Sequence, residues 1–308
     1  EEGKPILSPD KLPLIRNAVL ASCDADDGVE DGVLQDPRTC DWQPSDMQCS
    51  GQSMGQCLTA AEVGAVERIY TGAHNSNGQR IFPGGMSKGS EYEWSPAFVA
   101  ADGASPSVLN PNGMIGQFAR YLAYWEDGNG PGSDPLTFDW DRDPPRLAMT
   151  EALYNAQNPD LRKFRDAGNK LVLYHGWDDL EVPPGLSVDY YETAAKTMGG
   201  YDATQEFFRL FMIPSMAHCR RGPGADAFDT ISAIEAWVET GKAPDALTSY
   251  HLKKPQAYNG LPRIRYPISE DVYDWTRPVY PYPASATWSG EGDWKEAESW
   301  ESGGAIAD

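Results

Sequence analysis

Two short apolar runs in the second half of the chain each lead into a group that can hold or move a proton. Leu171-Val-Leu-Tyr-His175 runs into Gly-Trp-Asp178-Asp179, and Glu206-Phe-Phe-Arg-Leu-Phe-Met-Ile213 runs into Pro-Ser-Met-Ala-His218-Cys219. Both runs have the form of buried parallel strands. In open α/β sheets, ligands bind beyond the carboxyl ends of the strands. An acid on one such loop and a histidine on the next is the second half of a Ser-His-Asp triad, in the order nucleophile, acid, base. The acid would orient the imidazole and stabilise its protonated form, and the imidazole would take a proton from the nucleophile. A surface acid and a structural histidine produce the same pattern, and strand position alone leaves both readings open.

The nucleophile of such a triad sits in G-x-S-x-G on a strand-to-helix turn. Gly51-Gln-Ser53-Met-Gly55 fits the letters. It lies between Cys49 and Cys57 in a loop-rich stretch with no apolar strand before it, and it reads as a chance match.

A third group is the acidic stretch Cys23-Asp24-Ala-Asp26-Asp27-Gly28-Val29-Glu30-Asp31-Gly32-Val33. Closely spaced carboxylates interrupted by glycine let a backbone fold around a hard cation, and calcium takes six to eight oxygen ligands. Asp24, Asp27 and Asp31 would supply carboxylates, and Val29 and Val33 carbonyls. The closing glutamate of an EF-hand is absent, and a solvated acidic turn is the alternative. Cys23 and Cys40 bracket the loop. With five cysteines in the chain, one is left over if the rest pair. Cys219, beside His218, raises the question of what it would tether the histidine to.

The elements that must position these groups form two regions. Residues 1–160 are rich in loops: helices are predicted over 10–22, with Asp10 as cap, over 59–70, with Thr59 and Glu62 as a capping box, and near 114–125. The stretch 71–145 is Gly-, Pro- and Asn-rich and reads as an ordered, irregular cap. Trp94, Phe98, Phe118 and Trp125 are candidates for its aromatic wall or its core. Residues 161–308 carry the two strands, with helices predicted over 185–198 and 226–239. Strand, helix, strand, helix is an α/β crossover pattern. The Pro- and Tyr-rich tail, 255–308, is expected to wrap the surface.

Composition bounds the function. The chain has 308 residues, 46 Asp and Glu against 25 Lys and Arg, and a net charge of −21. That field repels nucleic acid and anionic membrane surfaces. No apolar stretch approaches the roughly 18 residues of a membrane span. The polar first residues carry no signal-peptide pattern, which implies removal of a leader or a start inside a longer product.

Taken together, these stretches carry a resemblance. Ser22–Val33, Tyr174-His-Gly-Trp-Asp-Asp179-Leu-Glu-Val-Pro-Pro184, Met216-Ala-His218-Cys219 with Gly222-Pro-Gly224, and Thr276-Arg-Pro with Pro281-Tyr-Pro283 resemble the tannase/feruloyl esterase family of secreted α/β-hydrolases. The resemblance implies the C-terminal part of an α/β-hydrolase sheet with a large calcium-binding lid over residues 1–160. It implies Asp179, chosen over Asp178 by the H-G-x-x-D spacing, as the acid and His218 as the base. It implies structural calcium on Asp24, Asp27, Val29, Asp31 and Val33, and the pairs Cys23–Cys40 and Cys49–Cys57. In the family the cysteine after the histidine bonds one before the nucleophilic serine. Cys219 is therefore expected to link to a segment or chain, absent from this sequence, that carries the serine.

The implied activity is hydrolysis of aromatic carboxylic esters, hydroxycinnamoyl or galloyl, in a secreted or periplasmic setting. The alternatives are a terephthalate-monoester hydrolase of the same family and a non-catalytic, calcium-stabilised binding module. Against terephthalate monoesters stand the lack of an arginine in 107–118, with Arg120 nearest, and Val182 where an aromatic is expected three residues after the acid. The family's C-terminal signature usually has a cysteine where Tyr280 stands. His175 is a candidate pocket or structural residue, and His74 and His251 read as surface.

Overall fold

The structure, a computed structural model, describes residues 5–51, 55–124, 137–218, 220–253 and 269–303. The chain divides into two compact units. One comprises Glu1–Asn17, Gln43–Met86 and Glu91–Asn158, and the other Ala18–Trp42, Ser87–Ser90 and Pro159–Asp308. Among the described residues no helix is long and apolar enough to cross a membrane.

The first unit is helical and irregular. Helix α1 (Leu12–Cys23) begins in it, after a 3-10 turn, Pro9–Lys11, that takes in Asp10; Asp10 thus lies in the turn and not at the helix cap. Helix α2 (Ala60–Thr71) has the expected capping box: the Glu62 amide donates to Thr59 Oγ1 at 3.2 Å and the Thr59 amide to Glu62 Oε2 at 2.7 Å. Two orphan amides of the first turn are thereby satisfied. Helices α3 (Met114–Tyr121) and α4 (Ala148–Tyr154) follow. Cys49 and Cys57 form one of the implied disulfides. Trp94 is fully buried, edge-on to Tyr70 at 5.3 Å, and the Tyr70 hydroxyl donates to Glu91. Trp94 is therefore core. Phe98 is half-buried and Phe118 exposed, while Trp125 lies outside the described residues.

The second unit holds the strands. After α5 (Arg162–Asp166), β1 (Leu171–Gly176) pairs in parallel with β2 (Phe208–Ile213), Leu171 opposite Phe208 and Gly176 opposite Ile213. The crossover carries α6 (Gly185–Met198), closed by left-handed Gly199, and α7 (Tyr201–Gln205). The period-2 alternation of β2 feeds two cores. Phe208, Leu210 and Met212 pack with Trp177 and with Val188, Tyr191, Ala194 and Met198 of α6. Phe211 and Ile213 pack with Met216, Phe228 and Leu247. Helix α8 (Thr230–Thr240) is capped by Asp229, whose carboxylate accepts the Ser232 amide at 2.8 Å.

The tail does more than wrap the surface. Strand β3 (Leu247–Leu252) pairs antiparallel with β4 (Tyr273–Val279), and β5 (Ala286–Trp288) with β6 (Trp300–Ser302). Trp275, Thr276, Arg277 and Val279 of β4 are buried. Pro278 inside the run argues against a strand in the sequence, and β3 is too polar to stand out. Tyr282 adds to the free side of β2, its amide donating to the Leu210 carbonyl at 2.7 Å.

Candidate active site

The β1 and β2 loops are stitched together at their carboxyl ends. The Trp177 amide donates to the Ile213 carbonyl at 3.0 Å, and the Asp178 amide to the Met216 carbonyl at 3.0 Å. The approach requires glycine at 176: a Cβ there would lie 2.1 Å from the Met216 oxygen. Gly224 plays the same part on the other side of the histidine loop, where a Cβ would meet the Pro214 oxygen at 1.9 Å. The loop is pinned further by the Ala217 amide on the Arg221 carbonyl, 2.9 Å, and the Arg221 amide on Asp226 Oδ2, 2.6 Å.

This stitching brings Asp179 and His218 together. His218 Nδ1 lies 2.9 Å from Asp179 Oδ2 and 3.1 Å from Oδ1. A ring nitrogen facing a carboxylate carries the proton. In the neutral imidazole Nε2 is then the basic nitrogen, and the His218 side chain is 41% exposed. Asp178 is buried beside this pair, but Asp179 is the carboxylate that meets His218.

Asp179 is 4% exposed and held on several sides. The Glu181 and Val182 amides each donate to Oδ1 at 2.9 Å. His175, whose role the sequence left open, lies beneath it with Nε2 3.1 Å from Asp179 Oδ2 and 3.0 Å from the Val182 carbonyl. Two acceptors at Nε2 fix the proton there, so Nδ1 accepts from the Ser187 hydroxyl at 2.7 Å. Burial pushes the Asp179 carboxyl up. The hydrogen bonds from His175, the Val182 amide and His218 outweigh it and hold the group below its ordinary value of 3.8. Asp179 is thus a carboxylate fixed in its charged form. The H-G-x-x-D spacing links His175 to Asp179, but the role of His175 depends on which ring nitrogen faces which acceptor, which spacing does not show.

Neither G-x-S-x-G stretch has a nucleophile's context. Residues 52–54, Ser53 among them, lie outside the described residues, and Gly51 and Gly55 are exposed in loop. The same letters recur at Gly85-Met-Ser87-Lys-Gly89, in irregular backbone with no strand before and no α-helix after. Cys219 also lies outside the described residues.

The acidic loop belongs to the same unit as the His218 loop. Cys23 and Cys40 are disulfide-bonded, as the resemblance implied. The Asp24–Asp27 turn closes at left-handed Gly28. The Gly32 amide donates to both Asp24 oxygens at 2.9 Å, the Val29 amide to Asp27 and the Val33 amide to Asp31, each at 3.1 Å. Arg277 of β4, 1% exposed, reaches Asp31 at 2.6 Å and Asp27 at 3.3 Å, with its guanidinium 3.9 Å from the Trp300 ring. The loop also touches the histidine loop: the Leu34 amide donates to the Oγ of buried Ser215 at 3.2 Å, and Val33 packs with Ala225.

The oxygen donors here match a hard divalent cation in kind. Three carboxylates face one guanidinium. Burial, opposed by Arg277 and the Val29 amide, pushes the Asp27 carboxyl up to about 7. A dication would relieve that cost. Among the described residues, no three His, Cys, Asp or Glu side chains are gathered to hold an ion; the three carboxylates face loop amides and Arg277.

Of the remaining histidines, His74 is exposed, with Nδ1 on the Gly72 carbonyl at 3.1 Å. His251 is less free than the sequence suggested, because it stacks on Trp275 at 4.9 Å.

The family described as "Tannase and feruloyl esterase" matches residues 1–302. The chain is 32% identical to an uncharacterized esterase of Xanthomonas campestris over 95% of its own length and 54% of the relative's. It is 31% identical to a mono(2-hydroxyethyl) terephthalate hydrolase of Piscinibacter sakaiensis, over 95% of this chain and 52% of that one. A crystal structure of an esterase from Aspergillus oryzae matches with a TM-score of 0.79 at 27% identity, covering 97% of this chain and 57% of that one. The chain thus spans about half the length of the curated relatives it matches.

Proposed function

Because the chain belongs to the tannase and feruloyl esterase family, we propose that it supplies the acid and base of a serine carboxylic ester hydrolase. The observation that carries this reading is the Asp179–His218 pair, with Nδ1 on the buried carboxylate and Nε2 on the exposed side of the ring, where the half-exposed Glu181 carboxylate lies 3.5 Å away. The serine comes from a segment outside this sequence. Its hydroxyl attacks the ester carbonyl while His218 Nε2 takes the hydroxyl proton. The imidazolium, stabilised by Asp179, returns that proton to the leaving alkoxide, and an acyl-enzyme remains. Water then gives a proton to Nε2 and attacks the acyl carbon, and the serine oxygen recovers the proton as the acid leaves.

Two further features support a missing partner. Among the described residues β1 has β2 as its ladder partner, and its side chains are half-buried where those of β2 are buried. A parallel strand in the middle of an α/β sheet is covered on both faces and paired on both edges. Cys219, next to the base, is the cysteine left after the two disulfides form; we assign it to a bond with the serine segment. The substrates are small aromatic esters, hydroxycinnamoyl or galloyl, in keeping with the family's description. Two disulfides fit an oxidising, secreted or periplasmic setting.

Calcium would be held by Asp24, Asp27 and Asp31 with the carbonyls of Val29 and Val33. Its role there is structural: it offsets buried charge on a loop tied through Leu34 and Ser215 to the histidine loop.

A fluorophosphonate probe tests the arrangement. Labelled native enzyme is weighed intact with and without reductant. The reading expects the adduct on a polypeptide that separates from this chain, or from its Cys219 peptide after digestion, on reduction. An adduct on a serine within residues 1–308 contradicts it.

A further inference from the structure

We propose that Glu181 is a specificity-determining residue that disfavours esters carrying a second, anionic group. The proposal rests on the esterase reading above. The Glu181 amide is fixed on Asp179 Oδ1 at 2.9 Å, so the turn after β1 sets where its side chain starts. That side chain crosses to the open side of the base: Glu181 Oε2 lies 3.5 Å from His218 Nε2. The imidazole therefore stands between two carboxylates, Asp179 on Nδ1 and Glu181 on Nε2. The first is buried and structural. The second is half-exposed, and among the described residues no Lys or Arg side chain forms an ion pair with it.

Nε2 is the atom through which the proton passes, so the reacting carbonyl must lie within a few ångströms of it. When the nucleophile occupies Nε2, Glu181 swings aside but stays within a side-chain length. A unit charge about 7 Å from a substrate carboxylate, partly screened, changes its binding about three- to ten-fold. Neutral esters escape this penalty, and the carboxylate product is repelled as it forms. Glu181 thus selects against anionic esters and promotes product release.

The test uses the enzyme complete with its nucleophile and two isosteric probes, methyl 4-carboxybenzoate and methyl 4-carbamoylbenzoate. The readout is the kcat/KM ratio, anionic over neutral, within each variant, so any inactive fraction cancels. Glu181→Gln is expected to raise the ratio about three- to ten-fold at low ionic strength. Glu181→Asp is expected to leave it near wild type, and about 0.5 M salt to shrink the Gln effect. An unchanged or lowered ratio in Glu181→Gln overturns the proposal, as does a rise that salt does not diminish. A wild type inactive on both esters and on methyl ferulate overturns the esterase reading itself.

Discussion

His175 Nε2 stands 3.1 Å from Asp179 Oδ2, on the carboxylate that His218 Nδ1 approaches at 2.9 Å, so one buried acid is shared by two imidazoles. The two rings differ in what lies behind them. His175 is backed by the Ser187 hydroxyl and the Val182 carbonyl, while the half-exposed His218 ring has the Glu181 carboxylate 3.5 Å from its Nε2. His175 therefore holds the carboxylate that His218 Nδ1 meets, and in the proposed mechanism it is a positioning residue.

His175→Ala removes one hydrogen bond to a buried carboxylate, worth about 1.5–3 kcal/mol. If that bond orients Asp179, kcat falls about ten- to a hundred-fold while KM for a neutral ester changes little. His175→Gln keeps a donor and restores part of the loss. Equal kcat in wild type and His175→Ala, at equal folded fraction, would remove His175 from the orienting chain.

The pH dependence of stability follows from the depressed Asp179 carboxyl. Its folded-state value lies below the ordinary 3.8. The associated stability is therefore complete above about pH 4 and is lost as pH falls through the lower folded value. Urea denaturation of wild type and Asp179→Asn checks this: the gap between them is expected to be full at pH 7 and to narrow below pH 4. A gap that widens on acidification contradicts the assignment.

Gly176 fixes the distance between the two loops. Gly176→Ala forces its Cβ toward a backbone oxygen 2.1 Å away, so strands or loop must part. The expected cost is about 1–3 kcal/mol in stability, with a loss of kcat beyond what the unfolded fraction explains. Full activity in a folded Gly176→Ala protein would show that the Met216 contact does not position the base.

Arg277 and the proposed calcium act on the same carboxylates. Arg277→Met leaves Asp27 and Asp31 buried without their guanidinium, which costs about 3–5 kcal/mol. With calcium on the loop, millimolar Ca²⁺ raises the Tm of wild type and offsets part of the Arg277→Met loss, while a chelator lowers both. A Tm indifferent to calcium and chelator in both proteins argues against the site.

Asp179 and His218 were legible as a candidate pair, because each follows an apolar run with the form of a strand, though strand position alone left a surface acid and a structural histidine open. Asp179 and His218 stand three and five residues past Gly176 and Ile213, where parallel strands deliver side chains to one edge. The capping box of α2 was equally legible, since its chemistry is local. What stayed hidden is long-range. Arg277 lies 250 residues from Asp27, in a strand whose Pro278 disguises it. The Leu34–Ser215 bond joins two loops 181 residues apart. Neither leaves a trace in residue spacing, because a buried partner is chosen by the fold and not by the chain's own period.

The joint action of Asp179 and His218 carries the catalysis proposed above. The direct measurement is kcat/KM for methyl ferulate in wild type, His218→Ala, Asp179→Asn and the double variant of the complete enzyme. Groups that act as one unit fail together: each single change is expected to cost about 10³-fold or more, and the double variant little beyond the worse single. Activity of His218→Ala within about tenfold of wild type, or single losses that multiply in the double variant, would contradict it.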